Sequence, residues 1–427
     1  MGGGRVGPGL ARISKTVSEM DLSRRGFLMR TGALGCSLAA SPLLTPMTFA
    51  SAPWDARLVV IILRGGMDGL DVVQPYGDAD FKGKRRALKV GPDGGARDLD
   101  GFFSLHPHLK DLMPLWDRGQ LGFAHAVSTP YRDQRSHFDG QDLLEAGTGF
   151  DVGVGAIRDG WLNRMLQAVP GVEADTAFAI GREELLVLSG DAPVSSWSPD
   201  ADLDLSATSQ RLLELLYHDD PLFRDAAAEA IEIADALNLS GGANSYGEVL
   251  NDMQATMDSS RKGRDHVKLA QFAATRLRAE TRVASFSLAG WDTHGNQRKN
   301  IGGALKRLSQ TILTLQKELG DVWDKTAVLA MTEFGRTVAE NGTGGTDHGT
   351  GGAMLMAGGA IKGGQVYTDW PGLKERDLYD RRDLMPTADV RAYAAQAMQG
   401  LFGLDRAVLE GAVFPGLDMA TGKSFIL

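Results

Sequence analysis

The chain has 427 residues, 43% of them hydrophobic and 23% charged, and a net charge of −9 at neutral pH. An acidic balance excludes strong binding to nucleic acid or anionic membrane surfaces, where lysine and arginine supply the affinity. The single cysteine, Cys36, excludes a disulfide framework, so a packed core or a metal must supply the stability.

At the N-terminus, Ser23-Arg24-Arg25-Gly26-Phe27-Leu28 precedes an apolar stretch that runs to about Leu44. Paired arginines before a short apolar segment read as a twin-arginine export signal. Arg30, Pro42 and Pro46 interrupt the stretch, which falls short of the roughly 20 apolar residues a membrane span needs. Cleavage is expected after Thr48-Phe49-Ala50 or Ala50-Ser51-Ala52, so residues 1–52 are set apart as a leader and 53–427 as the folded domain. Removing the leader's six basic and two acidic residues moves the net charge to about −13. The expected product is periplasmic or secreted, handled by the twin-arginine machinery, with no transmembrane segment and no nucleic-acid partner. Cys36 leaves with the leader; a lipidated Cys36 is the other reading.

The remainder alternates between short apolar runs and helical patterns. Arg57 to Leu63, Gln120 to Val127, Glu184 to Leu188, Arg282 to Leu288, Ala327 to Met331 and Ala353 to Ala357 read as strands buried on both faces. Pro107 to Arg118, His137 to Ala146, Ser206 to Leu237, Asp265 to Glu280, Gly302 to Leu319 and Ala388 to Phe402 read as helices. This alternation predicts an α/β fold with a doubly wound, mostly parallel central sheet, helices on both faces and a helix-rich insertion at about 206–280. In such a sheet the reactive side chains collect beyond the carboxyl ends of the strands.

The strand ends do carry the chemistry-bearing residues. The first strand runs into Arg64-Gly65-Gly66-Met67-Asp68-Gly69-Leu70-Asp71, where glycines permit a sharp turn and Asp68 is a candidate metal ligand. The second leads to Arg135-Ser136-His137 at a helix start, where Ser136 is either a helix cap or a nucleophile, and Arg135 is a candidate oxyanion donor. Further on come Trp291-Asp292-Thr293-His294-Gly295-Asn296 and, after Thr332-Glu333-Phe334-Gly335-Arg336, the turn Thr346-Asp347-His348-Gly349. Carboxylate and imidazole on one Gly-rich turn suit a hard or borderline cation. With 8 histidines in the chain, two placed beside aspartate at strand ends count for more than either alone. Asp292, His294, Glu333, Asp347 and His348 therefore join Asp68 as candidate ligands, and Arg336 joins Arg135 as a candidate oxyanion donor. His106, His108, His125, His218 and His266 read as structural or surface residues. No HExxH, CxxC or GxSxG sequence occurs, against a zincin, a structural zinc module and a typical serine hydrolase.

Gly-Gly-Met-Asp-Gly-Leu, Arg-Ser-His-Phe-Asp, Gly-Trp-Asp-Thr-His-Gly-Asn, Thr-Glu-Phe-Gly-Arg-Thr and Asp-His-Gly, together with the twin arginines, resemble an uncharacterised domain-of-unknown-function family numbered 1501. The resemblance covers nearly the whole chain after the leader. It implies an alkaline-phosphatase-like fold, the superfamily of sulfatases and phosphodiesterases, with one or two divalent ions of zinc, manganese or calcium. The superfamily's first-strand aspartate corresponds to Asp68, and its Asp…His pair with a following Asn to Asp292, His294 and Asn296. Its next strand ends in Asp-His, where this chain has Glu333-Phe334. Either Glu333 replaces that aspartate and Asp347-His348 adds the last ligands, or Asp347-His348 is itself the motif. No formylglycine sulfatase sequence follows the leader. The expected activity is hydrolysis of a phosphate-type, or sulfate, ester by metal-activated water or Ser136. The alternative is a secreted binding or cell-envelope assembly protein, with a member of the uncharacterised family numbered 1800 as partner.

Overall fold

A β-branched run, Leu58-Val59-Val60-Ile61-Ile62-Leu63, forms the central strand of the molecule and is entirely buried. The structure, a computed structural model, describes residues 47–51, 54–133, 135–149, 159–169, 185–197, 265–279 and 281–427. Nine strands make the main sheet: β1 (Met47–Ser51), β2 (Arg57–Arg64), β3 (Leu121–Ser128), β4 (Ser195–Trp197), β5 (Thr281–Ala289), β6 (Thr326–Met331), β7 (Gly352–Ala357), β8 (Val366–Tyr367) and β9 (Ala388–Asp389). Their order is β8-β3-β7-β6-β2-β5-β1-β4, with β9 also paired to β3. β2 lies parallel to β5 and β6 on either side. β7 is antiparallel to β3 and β6, and β1 to β4 and β5, so these two strands run against the other seven.

The α-helices longer than five residues begin with α1 (His137–Ala146) and α2 (Trp161–Gln167), and the period of two along β2 builds two cores. Val59, Ile61 and Leu63 face helices α3 (Asp265–Arg278) and α4 (Gln297–Leu319), against Ala270, Leu277, Leu305 and Ile312. Leu58, Val60 and Ile62 face the opposite layer, with Trp161 and Met165 of a short helix and Tyr393 and Met398 of α5 (Val390–Phe402). In α4, Ile301, Leu305, Leu308, Ile312, Leu315 and Leu319 recur at three or four residues and are all buried. Each such aliphatic side chain, taken fully out of water, stabilises the fold by about 1.5–3 kcal/mol before entropy is counted. Among the described residues no helix is long and apolar enough to cross a membrane.

One sequence expectation needs correction, and two features go beyond what was expected. Leu186–Leu188 is a single 3-10 turn, not a strand; its apolar side chains are buried, and Val187 N donates to the Glu145 carboxylate at 3.2 Å. The strand from Ala353 is present but antiparallel, because the chain from Glu333 to Gly351 forms no helix and cannot cross over to a parallel position. Residues 47–51, which fall within the span read as a leader, form β1 and pair with β5 and β4. The expected helix from Ser206 to Leu237 lies outside the described residues.

Candidate metal centre

Four strand ends and one strand start meet at one edge of the sheet: the carboxyl ends of β2, β3, β5 and β6, and the amino end of antiparallel β7. The turn after β2 packs directly on the turn after β5. Gly65, at φ +119°, would place a Cβ 2.6 Å from the Asp292 backbone nitrogen, and Gly66, at φ +64°, would place one 2.7 Å from the Phe334 ring. Only glycine permits this approach.

Arg336 fastens the turns from below. Its fully buried guanidinium donates to the carbonyls of Gly66 at 2.6 Å, Gly65 at 2.5 Å, Trp291 at 3.2 Å and Thr346 at 3.1 Å, and to Asp292 Oδ1 at 2.7 Å. Trp291, wholly buried and bonded through its indole N–H to Leu288 O at 2.9 Å, anchors the same loop in the core.

Above this clamp, His137, Asp292 and His348 each present a ligand atom, all within 4.8 Å of one another. His294 is the fourth member, its Nε2 2.9 Å from His348 Nε2 and 3.1 Å from Asp292 Oδ1. Each imidazole is oriented through its other nitrogen. His137 Nδ1 donates to Glu333 Oε1 at 2.8 Å, His294 Nδ1 to Asp347 Oδ1 at 3.2 Å, and His348 Nδ1 to the Arg135 carbonyl at 2.9 Å. Nδ1 protonation of this kind turns the Nε2 lone pairs inward, as in carboxylate–histidine–metal triads. His137 Nε2 has almost no solvent exposure and no hydrogen-bond partner, and Asp292 Oδ2 lies 3.6 Å from it. A buried imidazole nitrogen left over in this way fits a cation ligand.

The electrostatics keep the carboxylates ionised. Burial pushes Asp292 up, but the Arg336 hydrogen bond and charge outweigh it and hold the carboxyl below the usual range. Glu333 is also held low, its burial outweighed by bonds from His137, Gln141 and the Gly65 N–H. Asp347 is lowered by Asn341 Nδ2 and His294. Desolvation, with repulsion from its cationic neighbours, lowers His348 and favours its neutral, ligating form. Phe334 stacks on His137 at 5.0 Å between centroids and lies 4.9 Å from His348, walling the pair on its apolar side.

Asp292, His294 and His348 thus come together, while Glu333 and Asp347 stand behind histidines as orienting partners. Asp68 does not join them: its carboxylate bonds Arg85 and Gln297 in a buried cluster with Asp71. The Arg85 guanidinium pairs with Asp68 inside this cluster. Ser136 is the cap of helix His137–Ala146, accepting Asp139 N at 3.4 Å, and Arg135 contributes its carbonyl to His348 while its side chain is exposed. Arg336 is committed to carbonyls and Asp292, not to an incoming oxyanion. Sequence reasoning missed His137 as a candidate ligand, although the scarcity of histidine and its place after a strand were the same signals that singled out His294 and His348. Of the five histidines read as structural, His106, His125 and His266 are buried; His125 Nε2 faces Val73 O and His266 Nε2 faces Gln310. His218 lies outside the described residues.

The chain matches the family described as protein of unknown function (DUF1501) over residues 55–413. It belongs to that family. No curated protein and no solved structure was found to match it. The match runs from just before β2 to Val413 and therefore includes every residue of the histidine cluster.

Proposed function

We propose that this DUF1501 protein is an exported hydrolase of phosphate-type esters that uses one divalent cation held by Asp292, His137, His294 and His348. The observation that carries the reading is the convergence of the Nδ1-anchored imidazoles of His137 and His348 on Asp292, with His294 in contact with both His348 and Asp292 and with His137 Nε2 buried and unpartnered. Three nitrogens and one oxygen suit zinc better than calcium, which takes six to eight oxygens. A cation bound there would polarise a phosphoryl oxygen and lower the pKa of a bound water. The engagement of Asp68 by Arg85 supports one cation instead of two, and the capping role of Ser136 supports water over serine as nucleophile.

Within the chain, Glu333, Asp347 and the Arg135 carbonyl keep the Nδ1 protons in place. Arg336 balances the charge of Asp292 and fixes its direction. Phe334 excludes water from one side of the imidazole pair, where a lower dielectric strengthens every charge interaction.

A second reading, a secreted binding or assembly protein with the same site, is favoured by the commitment of Arg336 and Ser136 to structure, which takes two of the three residues expected to be catalytic out of the reaction. The test is hydrolysis of aryl phosphate monoesters, diesters and sulfates by zinc-loaded full-length protein and by Asp292→Asn. Turnover by the first and loss of at least about 100-fold in the second is the expected result. Bound zinc without turnover on any ester would leave the binding reading standing and remove the hydrolase.

A further inference from the structure

Gln297, the first residue of α4, is fully buried and uses every hydrogen-bonding position of its side-chain amide. Its Nε2 donates to Asp68 Oδ2 at 2.6 Å and Asp71 Oδ2 at 2.8 Å. Its Oε1 accepts from Thr293 Oγ1 at 3.0 Å and Thr346 Oγ1 at 2.7 Å. The opposite amide orientation would set the carbonyl against two carboxylates, so the direction of the group is fixed.

The two threonines are neighbours of the site in sequence. Thr293 separates Asp292 from His294, and Thr346 directly precedes Asp347 and His348. One amide oxygen therefore ties together the loops that bring His294 and His348 to 2.9 Å. On its other side the amide is held by Asp68, itself bonded to Arg85, and Arg85 donates to the carbonyls of Val338 at 2.6 Å and Thr337 at 2.9 Å, at the start of the excursion that ends in Thr346. The bonds close a ring under the candidate metal centre: Gln297, Asp68, Arg85, the 337–346 loop, Thr346 and back to Gln297.

We infer that Gln297 is a positioning residue which, through Thr293 and Thr346, sets the spacing of His294 and His348 and so the cation affinity of the site. The inference rests on the metal reading above. Orienting partners one step removed from a ligand change metal affinity by about 10–100-fold when lost, and a shared partner of two loops acts on both at once.

The test keeps shape and removes the hydroxyls. Full-length wild type, Thr293→Val, Thr346→Val, the double valine variant and the double serine variant are titrated with cobalt(II), read by its visible absorption, and melted in parallel. The double valine variant is expected to bind cobalt at least about tenfold more weakly with an altered absorption band, each single variant less so, and the serine variant to recover wild-type affinity. A merely structural role would lower melting temperature and leave affinity and spectrum unchanged, and that result overturns the inference. If the double variant does not fold, the single variants decide by the same criterion. Wild type that takes up no cobalt overturns the metal reading itself, whereas wild-type uptake unchanged in every valine variant overturns only the role of Gln297.

Discussion

Glu333 is where a single side chain separates a candidate ligand from a residue that orients one. Its carboxylate is fully buried and accepts from His137, Gln141, the Gly65 N–H and Thr332, so its oxygens are engaged before any ion arrives. Glu333→Gln keeps the volume and removes the charge that fixes the His137 proton; metal affinity should fall by about 10–100-fold, measured by calorimetric titration with zinc, with the fold retained. Unchanged affinity would mean that His137 is oriented by something else. At this scale the sequence was partly legible. Carboxylates and imidazoles at strand ends are visible in one dimension, and Asp292, His294 and His348 do meet. What decides whether Asp68 faces a cation or an arginine is a pair of partners 17 and 229 residues away, Arg85 and Gln297. No local pattern carries that information.

At the scale of elements, the site depends on turns that touch. The φ of +119° at Gly65 and the 2.6 Å a Cβ would leave to Asp292 N make this position intolerant of any side chain. Gly65→Ala should destabilise the protein by about 2–4 kcal/mol, from strained backbone and displaced loop together, and weaken metal binding in parallel. Urea unfolding and zinc titration on the same preparation would check both; a wild-type unfolding midpoint would show that the two turns are not in contact. Buried runs predicted the strands at Arg57, Gln120, Arg282 and Ala327 to within a residue or two, and the Ser136 cap with Gly147 bounds the helix His137–Ala146 as expected. The direction of β7 was not read from the sequence, although nothing helical separates it from β6. The two-residue strands β8 and β9 carry no period to read, and they are held by pairing with β3 alone.

For the whole molecule, burial of unequal charge sets a pH dependence. Burial, then the neighbouring Asp68, pushes Asp71 up to about 6. The folded state thus keeps this proton to about pH 6, while the unfolded chain releases it near the ordinary value of 3.8. Folding takes up a proton in that window, so the contribution of Asp71 to stability is fully present below about pH 4 and is lost as pH rises through 6. Asp71→Asn removes the titration. Its stability relative to wild type should increase from pH 4 to 6 and level off above, measured by urea midpoints across that range; a pH-independent difference would contradict the shift. His106, 4.0 Å from Asp71 and lowered to about 4 mainly by burial, has the opposite slope and is present in both proteins. The layered α/β organisation followed from strand–helix alternation and two-faced burial. The place of residues 47–51 did not, because a leader's apolar segment and a strand have the same composition.

The central claim is that the histidine cluster holds one cation. Elemental analysis of full-length protein purified without chelators, beside His137→Ala, His348→Ala, tests it most directly. Close to one equivalent of a transition metal such as zinc is expected in the wild type and almost none in the double variant, with both proteins folded. Wild-type protein that is folded, metal-free and unable to take up added zinc or manganese would contradict it.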